Sequence, residues 1–92
     1  MKQRRATVLN PEGLHARPAA LFVAAASRFT STIQVRNVTR NTPWVNAKSI
    51  LSVLTLGVEQ HHEIEITADG PDEDQAFNTL AQWIASDFAG TH

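Results

Sequence analysis

The chain has 92 residues, of which 42% are hydrophobic and 18% charged, a composition typical of one soluble globular domain spanning residues 1–92. Its formal net charge of −1 lacks the basic excess with which proteins bind nucleic acid, so we expect no nucleic-acid partner. The absence of cysteine excludes a disulfide scaffold and thiolate chemistry, and no stretch is apolar enough for a signal peptide or a membrane span, so we expect a cytoplasmic protein without membrane insertion.

The spacing of apolar residues predicts a strand, a turn and a helix in the first third of the chain. Ala6 and Val8 alternate with polar residues and indicate the strand, and Asn10 to Gly13 has the composition of a turn. The helix is predicted from Ala16 to about Ser27, with a buried stripe at Ala19, Phe22, Val23 and Ala26.

Two further strands and a short helix are predicted in the middle of the chain. Ile33 and Val35 alternate with polar residues, and a polar loop over residues 37–43 precedes a short strand, Trp44 to Val45. Asn46 is predicted to be the N-cap of a helix from Ala47 to Leu56, because its side chain can accept from free N–H groups at a helix start. Gly57 is a suitable C-terminal stop.

The last third of the chain predicts a strand and a helix. Ile64 and Ile66 alternate with polar residues, and Gly70 and Pro71 precede a helix whose apolar face is formed by Phe77, Leu80, Ala81, Ile84 and Phe88. The element order is therefore βαββαβα. Strands with one apolar face and helices with one apolar stripe predict an α+β domain, in which a four-stranded antiparallel sheet carries three helices on one face.

The segment from Gly13 to Ala19 has the pattern of an anion site at a helix start. Pro18 is tolerated only in the first helical turn, which places His15 at the N-cap or first helical position. The imidazole then faces the free backbone N–H groups of Ala16 and Arg17 and the positive end of the helix dipole. The Arg17 guanidinium adds a planar cation suited to phosphate. We therefore expect His15 to be a nucleophile that carries a phosphoryl group, with Arg17 stabilising it.

The remaining histidines do not suggest a metal site or a cofactor. His61 and His62 are adjacent, so on a strand their side chains would point to opposite faces. We interpret them as surface residues and expect neither a metal ion nor a cofactor.

The short second helix is richer in apolar residues than one buried stripe requires. Val53 and Leu56 can share its core face, and the remaining apolar residues with two alanines of the first helix form a candidate docking surface around His15: Ala16, Ala20, Ile50, Leu51 and Leu54. The alternative is that these residues complete the core.

Two segments resemble the signatures of HPr, the histidine-containing phosphocarrier family of the bacterial sugar phosphotransferase system. Gly13 to Ala19 resembles its active-site signature, and Asn46 to Ile50 with Thr55 to Gly57 resembles its second signature. The resemblance implies an open-faced β-sandwich and a phosphoryl-transfer intermediate rather than a stand-alone enzyme. It also implies that His15 takes phosphate on Nδ1 from phosphoenolpyruvate through enzyme I, that Arg17 binds the phosphate, and that sugar-specific IIA proteins or domains receive it.

The same resemblance implies that Ser49 is a regulatory phosphosite, with an HPr kinase/phosphorylase and a transcriptional regulator as further partners. The alternative for Ser49 is an ordinary serine that bonds locally at a helix start. Two alternative functions also stay open. One is a carrier of a nitrogen-related or regulatory branch of the same system, and the other is a binding module that regulates a partner without relaying phosphate.

Overall fold

A computed structural model describes residues 1–85 of the chain, and Phe88 of the predicted apolar face lies outside them. The elements are β1 (Lys2–Thr7), α1 (Ala16–Ser27), β2 (Thr32–Asn37), β3 (Val45–Asn46), α2 (Ile50–Leu54), β4 (Glu63–Asp69) and α3 (Glu73–Ala85). This order is the predicted βαββαβα. Among the described residues, no helix has the length and apolar character needed to cross a membrane.

The four strands form one antiparallel sheet in the order β1-β4-β2-β3. Side chains alternate across β4, so Ile64, Ile66 and Ala68 join the hydrophobic core, whereas Glu65 lies on the opposite face. The helices pack over the apolar face of the sheet and contribute buried residues from α1 and α3: Ala19, Phe22, Ala26, Ala76, Leu80 and Ile84. The α+β open-faced sandwich is therefore confirmed. Of the predicted α1 stripe, Val23 alone is only half-buried.

The face of the sheet opposite the helices holds one nearly buried carboxylate. Arg36 Nε donates a hydrogen bond of 2.8 Å to Glu65 Oε1, and Gln3 Nε2 donates one of 2.6 Å to Oε2. The Arg36 hydrogen bond, with that of Gln3 and the positive charges of Arg36 and Arg5, holds the pKa of Glu65 below its usual value against the effect of burial. Glu65 is therefore a paired structural charge that joins β1, β4 and β2.

The predicted start of α2 is wrong. Asn46 pairs with Gln34 in the sheet, and the Ala47 N–H donates to Ile33 O at 2.9 Å, so Asn46 is the last residue of a strand and the chain then turns over residues 47–48. The Asn46 side chain does accept from a nearby N–H, that of Lys48 at 2.9 Å, but this bond closes a turn and not the start of a helix. The helix begins only at Ile50, with Ser49 as its N-cap, and the short strand lies one residue later than predicted.

Candidate functional site

The turn that leads into α1 is closed by a buried asparagine. The Gly13 N–H donates to Asn10 O at 3.1 Å, and Asn10 Nδ2 donates to Gly13 O at 2.8 Å. Gly13 has a φ of +63°, and a Cβ there would lie 2.2 Å from Val58 O. Only glycine fits this position, because the left-handed conformation is costly for other residues and the space is occupied by backbone.

The residue before the histidine fixes this turn to a second loop. Leu14 is fully buried, and its N–H donates to Val58 O at 3.0 Å. The side chain of Leu14 therefore anchors the start of α1 in the core, while its backbone is tied to the segment that follows α2. The backbone that leads into His15, the next residue, is therefore fixed in position.

His15 is the N-cap of α1, as Pro18 predicts. Its φ and ψ of −122° and 161° are extended, and its side chain makes no capping hydrogen bond. The imidazole is half-buried. An N-cap side chain normally accepts from the N–H groups of the next residues, so an uncommitted imidazole leaves those donors available to another acceptor.

The first turn of α1 is shaped for an anion. Ala16 and Arg17 supply backbone N–H groups without an intrahelical partner, Pro18 has none, and no acidic residue lies in this turn. Ala16 has a φ of +49°, a conformation that non-glycine residues rarely adopt and that occurs at functional sites. The turn thus presents two donors beside an uncapped imidazole.

Arg17 is exposed beside these donors. Within residues 1–85, its guanidinium takes part in no hydrogen bond or ion pair. Because this permanently charged planar group has no such partner there, it can turn toward a phosphate without first breaking a hydrogen bond or ion pair.

The predicted docking residues of α2 are exposed. Leu51 is 74% exposed, Leu54 38% and Ile50 37%, whereas Val53 and Leu56 are buried as predicted. The alternative that all of these residues complete the core is therefore wrong. Helices α1 and α2 contact each other, and Ala16 and Ala20 of α1 are also exposed.

Ser49 acts as the N-cap of α2 rather than lying within its first turn. Its hydroxyl oxygen accepts from the Ser52 N–H at 3.4 Å, and the side chain is half-buried. The local hydrogen bond that the sequence suggested for Ser49 is therefore present.

Three polar residues near the site were missed from the sequence. Asn10 and Asn37 are buried, and His62, interpreted as a surface residue, is half-buried and hydrogen-bonded to Asn37 of β2 and to the Glu59 N–H of its own loop. The turn composition around Asn10 was a usable signal for that residue. Nothing local distinguished His62 from the exposed His61. Within residues 1–85, no group of three or more histidine or carboxylate residues could hold a metal ion.

Comparison with known proteins places the chain in a family. The family model described as the PTS HPr component phosphorylation site matches residues 2–86. The phosphocarrier protein HPr of Lysinibacillus sphaericus is 44% identical over 81 residues, which cover 88% of this chain and 89% of that protein. The multiphosphoryl transfer protein of Vibrio cholerae is 45% identical over 73 residues, which cover 79% of this chain but only 18% of that longer protein.

Solved structures agree in fold as well as in sequence. The HPr of Thermoanaerobacter tengcongensis matches with a TM-score of 0.89 and 44% identity, covering 96% of each chain. The HPr of Bacillus anthracis matches with a TM-score of 0.83 and 38% identity, covering 90% of this chain and 95% of that one. The chain therefore belongs to the HPr family, the phosphocarriers of the phosphotransferase system.

Proposed function

We propose that this protein relays phosphoryl groups through His15 in a phosphoenolpyruvate-dependent sugar phosphotransferase system. His15 Nδ1 accepts the group from phosphorylated enzyme I and donates it to sugar-specific IIA proteins or domains. The observation that supports this most strongly is the uncapped imidazole of His15 beside the free N–H groups of Ala16 and Arg17. We propose that the carrier works in the cytoplasm, and the absence of cysteine fits such a reducing compartment.

In this proposal the neutral ring nitrogen attacks phosphorus, and the P–N bond forms as the bond to the donor breaks. The N–H groups of Ala16 and Arg17 then face the phosphoryl oxygens, and the Arg17 guanidinium neutralises their charge. The helix dipole contributes about 0.3–1 kcal/mol at an exposed site. Stabilisation of this size suits a carrier, since the phosphoryl group has to leave again.

Docking is assigned to the exposed apolar surface of α2 and α1. Leu51, Leu54 and Ile50 would lose water against enzyme I or a IIA protein, with Ala16 and Ala20 allowing close approach beside His15. The exposed cation beside this surface, Arg17, favours an acidic partner rim.

Ser49 is proposed as the regulatory phosphosite, modified by an HPr kinase/phosphorylase and then read by a transcriptional regulator. Its place at the N-cap of α2 supports this, because a phosphate there lies beside backbone N–H groups and directly before Ile50 and Leu51 of the docking surface. A dianion at that point opposes the dehydration that docking requires.

The test is phosphorylation of the purified protein with phosphoenolpyruvate and enzyme I, followed by intact-mass measurement. We expect one added phosphoryl group, labile in acid and stable in alkali as a P–N bond is. The His15→Ala variant should take up none, and His61→Ala, which changes an exposed histidine elsewhere, should behave as the wild type. An acid-stable adduct, or uptake by His15→Ala, would refute the proposal.

A further inference from the structure

The imidazole of His62 is hydrogen-bonded to Asn37 of β2 and to the backbone of Glu59, three residues before it in the same loop. Its Nδ1 lies 3.2 Å from the Glu59 backbone N and 3.1 Å from Asn37 Nδ2. A backbone N–H can only donate, and so can the NH₂ group of an asparagine. Nδ1 is therefore an acceptor, and the proton of the neutral ring lies on Nε2.

The side chain of Asn37 links His62 by further hydrogen bonds to the interior of the molecule. It is fully buried, and its Nδ2 also donates to Leu56 O at 3.1 Å, while its Oδ1 accepts from the Arg40 N–H at 3.2 Å. Asn37 thus binds one end of the segment 56–59, at Leu56 O, and His62 binds the other end, at the Glu59 N–H.

The segment held by His62 is the one on which the His15 turn rests. Leu14 donates to Val58 O at 3.0 Å, and Gly13 packs against the same oxygen. At the other end of the turn, the Val8 N–H donates to His62 O at 2.9 Å, and the His61 N–H donates to Val8 O at 2.6 Å. Residues 8–14 are therefore fixed at both ends to residues 58–62.

We propose that His62 is a positioning residue for phosphoryl transfer. Its Nδ1 lone pair orders residues 56–59, and these in turn set the position of Leu14 and hence of His15. His62 does not touch the phosphoryl group in this arrangement. The inference rests on the proposed role of His15 as acceptor.

This role predicts which kinetic constant changes. The hydrogen bonds of the His62 ring go to Asn37 and Glu59, neither of which belongs to the docking surface on α2, so the enzyme I concentration that gives half the maximal rate should stay the same. The rate at saturating enzyme I should fall, because a nucleophile displaced by a fraction of an ångström loses its alignment with phosphorus.

Two amide substitutions separate this role from general packing. In His62→Asn the side-chain oxygen takes the place of Nδ1, whereas in His62→Gln it lies one bond further out, where Nε2 was. We expect His62→Asn to keep the wild-type rate within about twofold and His62→Gln to be slower by about tenfold or more at saturating enzyme I. His61→Gln is the matched control and should be unaffected.

Equal rates for the two His62 variants, whether both fast or both slow, would overturn the inference. A second measurement needs no variant: two-bond ¹H–¹⁵N correlation spectra of the wild type should show His62 with unprotonated Nδ1 and protonated Nε2. A neutral ring with its proton on Nδ1 would overturn it too. The proposed function fails separately, if wild-type protein takes up no phosphoryl group or if His15→Ala does.

Discussion

The variants Gly13→Ala and Gly57→Ala form a matched test of how the turn that precedes His15 is held in place. The two glycines have nearly the same backbone conformation, with φ of +63° and +58°. A Cβ at Gly57 would meet the end of the Arg40 side chain, 2.4 Å from Nη1, and this side chain can move aside. A Cβ at Gly13 would meet only backbone: Val58 O at 2.2 Å, Glu59 Cα at 2.7 Å and Val58 C at 2.9 Å.

The two substitutions share the left-handed backbone cost of about 1–2 kcal/mol. Gly13→Ala has a further cost, because the clash is relieved only if residues 13–14 and 58–59 separate. The separation stretches the hydrogen bond from the Leu14 N–H to Val58 O, whose net contribution is about 0.5–1.5 kcal/mol, or about 1–3 kcal/mol if a buried group is left unpaired. We therefore expect Gly13→Ala to be the less stable variant by about 1–3 kcal/mol.

Thermal unfolding followed by circular dichroism measures this difference. For a domain of this size about 1 kcal/mol corresponds to about 4–8 °C in Tm, so Gly13→Ala should melt at least about 4 °C below Gly57→Ala. Phosphoryl uptake, measured well below both transitions, should be slower in Gly13→Ala than in Gly57→Ala, because only the first substitution forces residues 13–14 away from Val58. Equal melting temperatures would show that residues 13 and 58 are not in the rigid contact described above.

Substitutions at three further positions test phosphate binding by Arg17, the proposed phosphosite Ser49 and the hydrogen-bonded carboxylate of Asp72. Arg17→Lys keeps the charge but loses the planar fork, so we expect phosphoryl transfer to slow by about tenfold to a hundredfold, the equivalent of one charged hydrogen bond, with an unchanged melting temperature; wild-type transfer rates would contradict the role of Arg17. Ser49→Asp and Ser49→Asn both keep an N-cap, and only the charged variant should need more enzyme I for half-maximal transfer; identical curves for the two would exclude a charge-based switch at Ser49. The Ser31 hydroxyl, with the Thr30 and Ser31 N–H groups, lowers the pKa of Asp72 from 3.8 to about 2. Because the folded-state pKa is depressed, the stabilisation is complete above about pH 4 and lost as the pH falls toward 2. Asp72→Asn should therefore melt below the wild type at pH 6, with a gap that narrows between about pH 4 and pH 2, and a gap independent of pH would show that this carboxylate does not act through its charge.

The position of His15 at a helix start was predictable from the sequence because it depends on local stereochemistry. Pro18 alone restricts where α1 can begin, and the structure has His15 at the N-cap with α1 over Ala16–Ser27, as predicted. The exposure of Leu51 and its neighbours also followed from counting apolar residues against one helical stripe. Such features depend on spacing within one element and on the stereochemistry of single residues.

The start of α2 shows where local information ends. Asn46 and Ser49 are both good N-cap residues, and the sequence offers no reason to prefer the second. The sheet decides between them, because the pairing of Asn46 with Gln34 and the bond from the Ala47 N–H to Ile33 O commit the first candidate and the residue after it to strand pairing. A helix cannot begin where its first residues are committed to a strand.

The sequence by itself determined the element order, the antiparallel layer of strands under three helices, and the histidine at a helix start with its arginine. Only the tertiary structure decided which polar residues support that histidine. Asn37 binds Leu56 O and His62 Nδ1, which are 19 and 25 residues away in the chain, and the Leu14 N–H binds Val58 O across a gap of more than forty residues. Hydrogen bonds of this kind form only after the core has brought the two loops together, so no pattern along the chain records them.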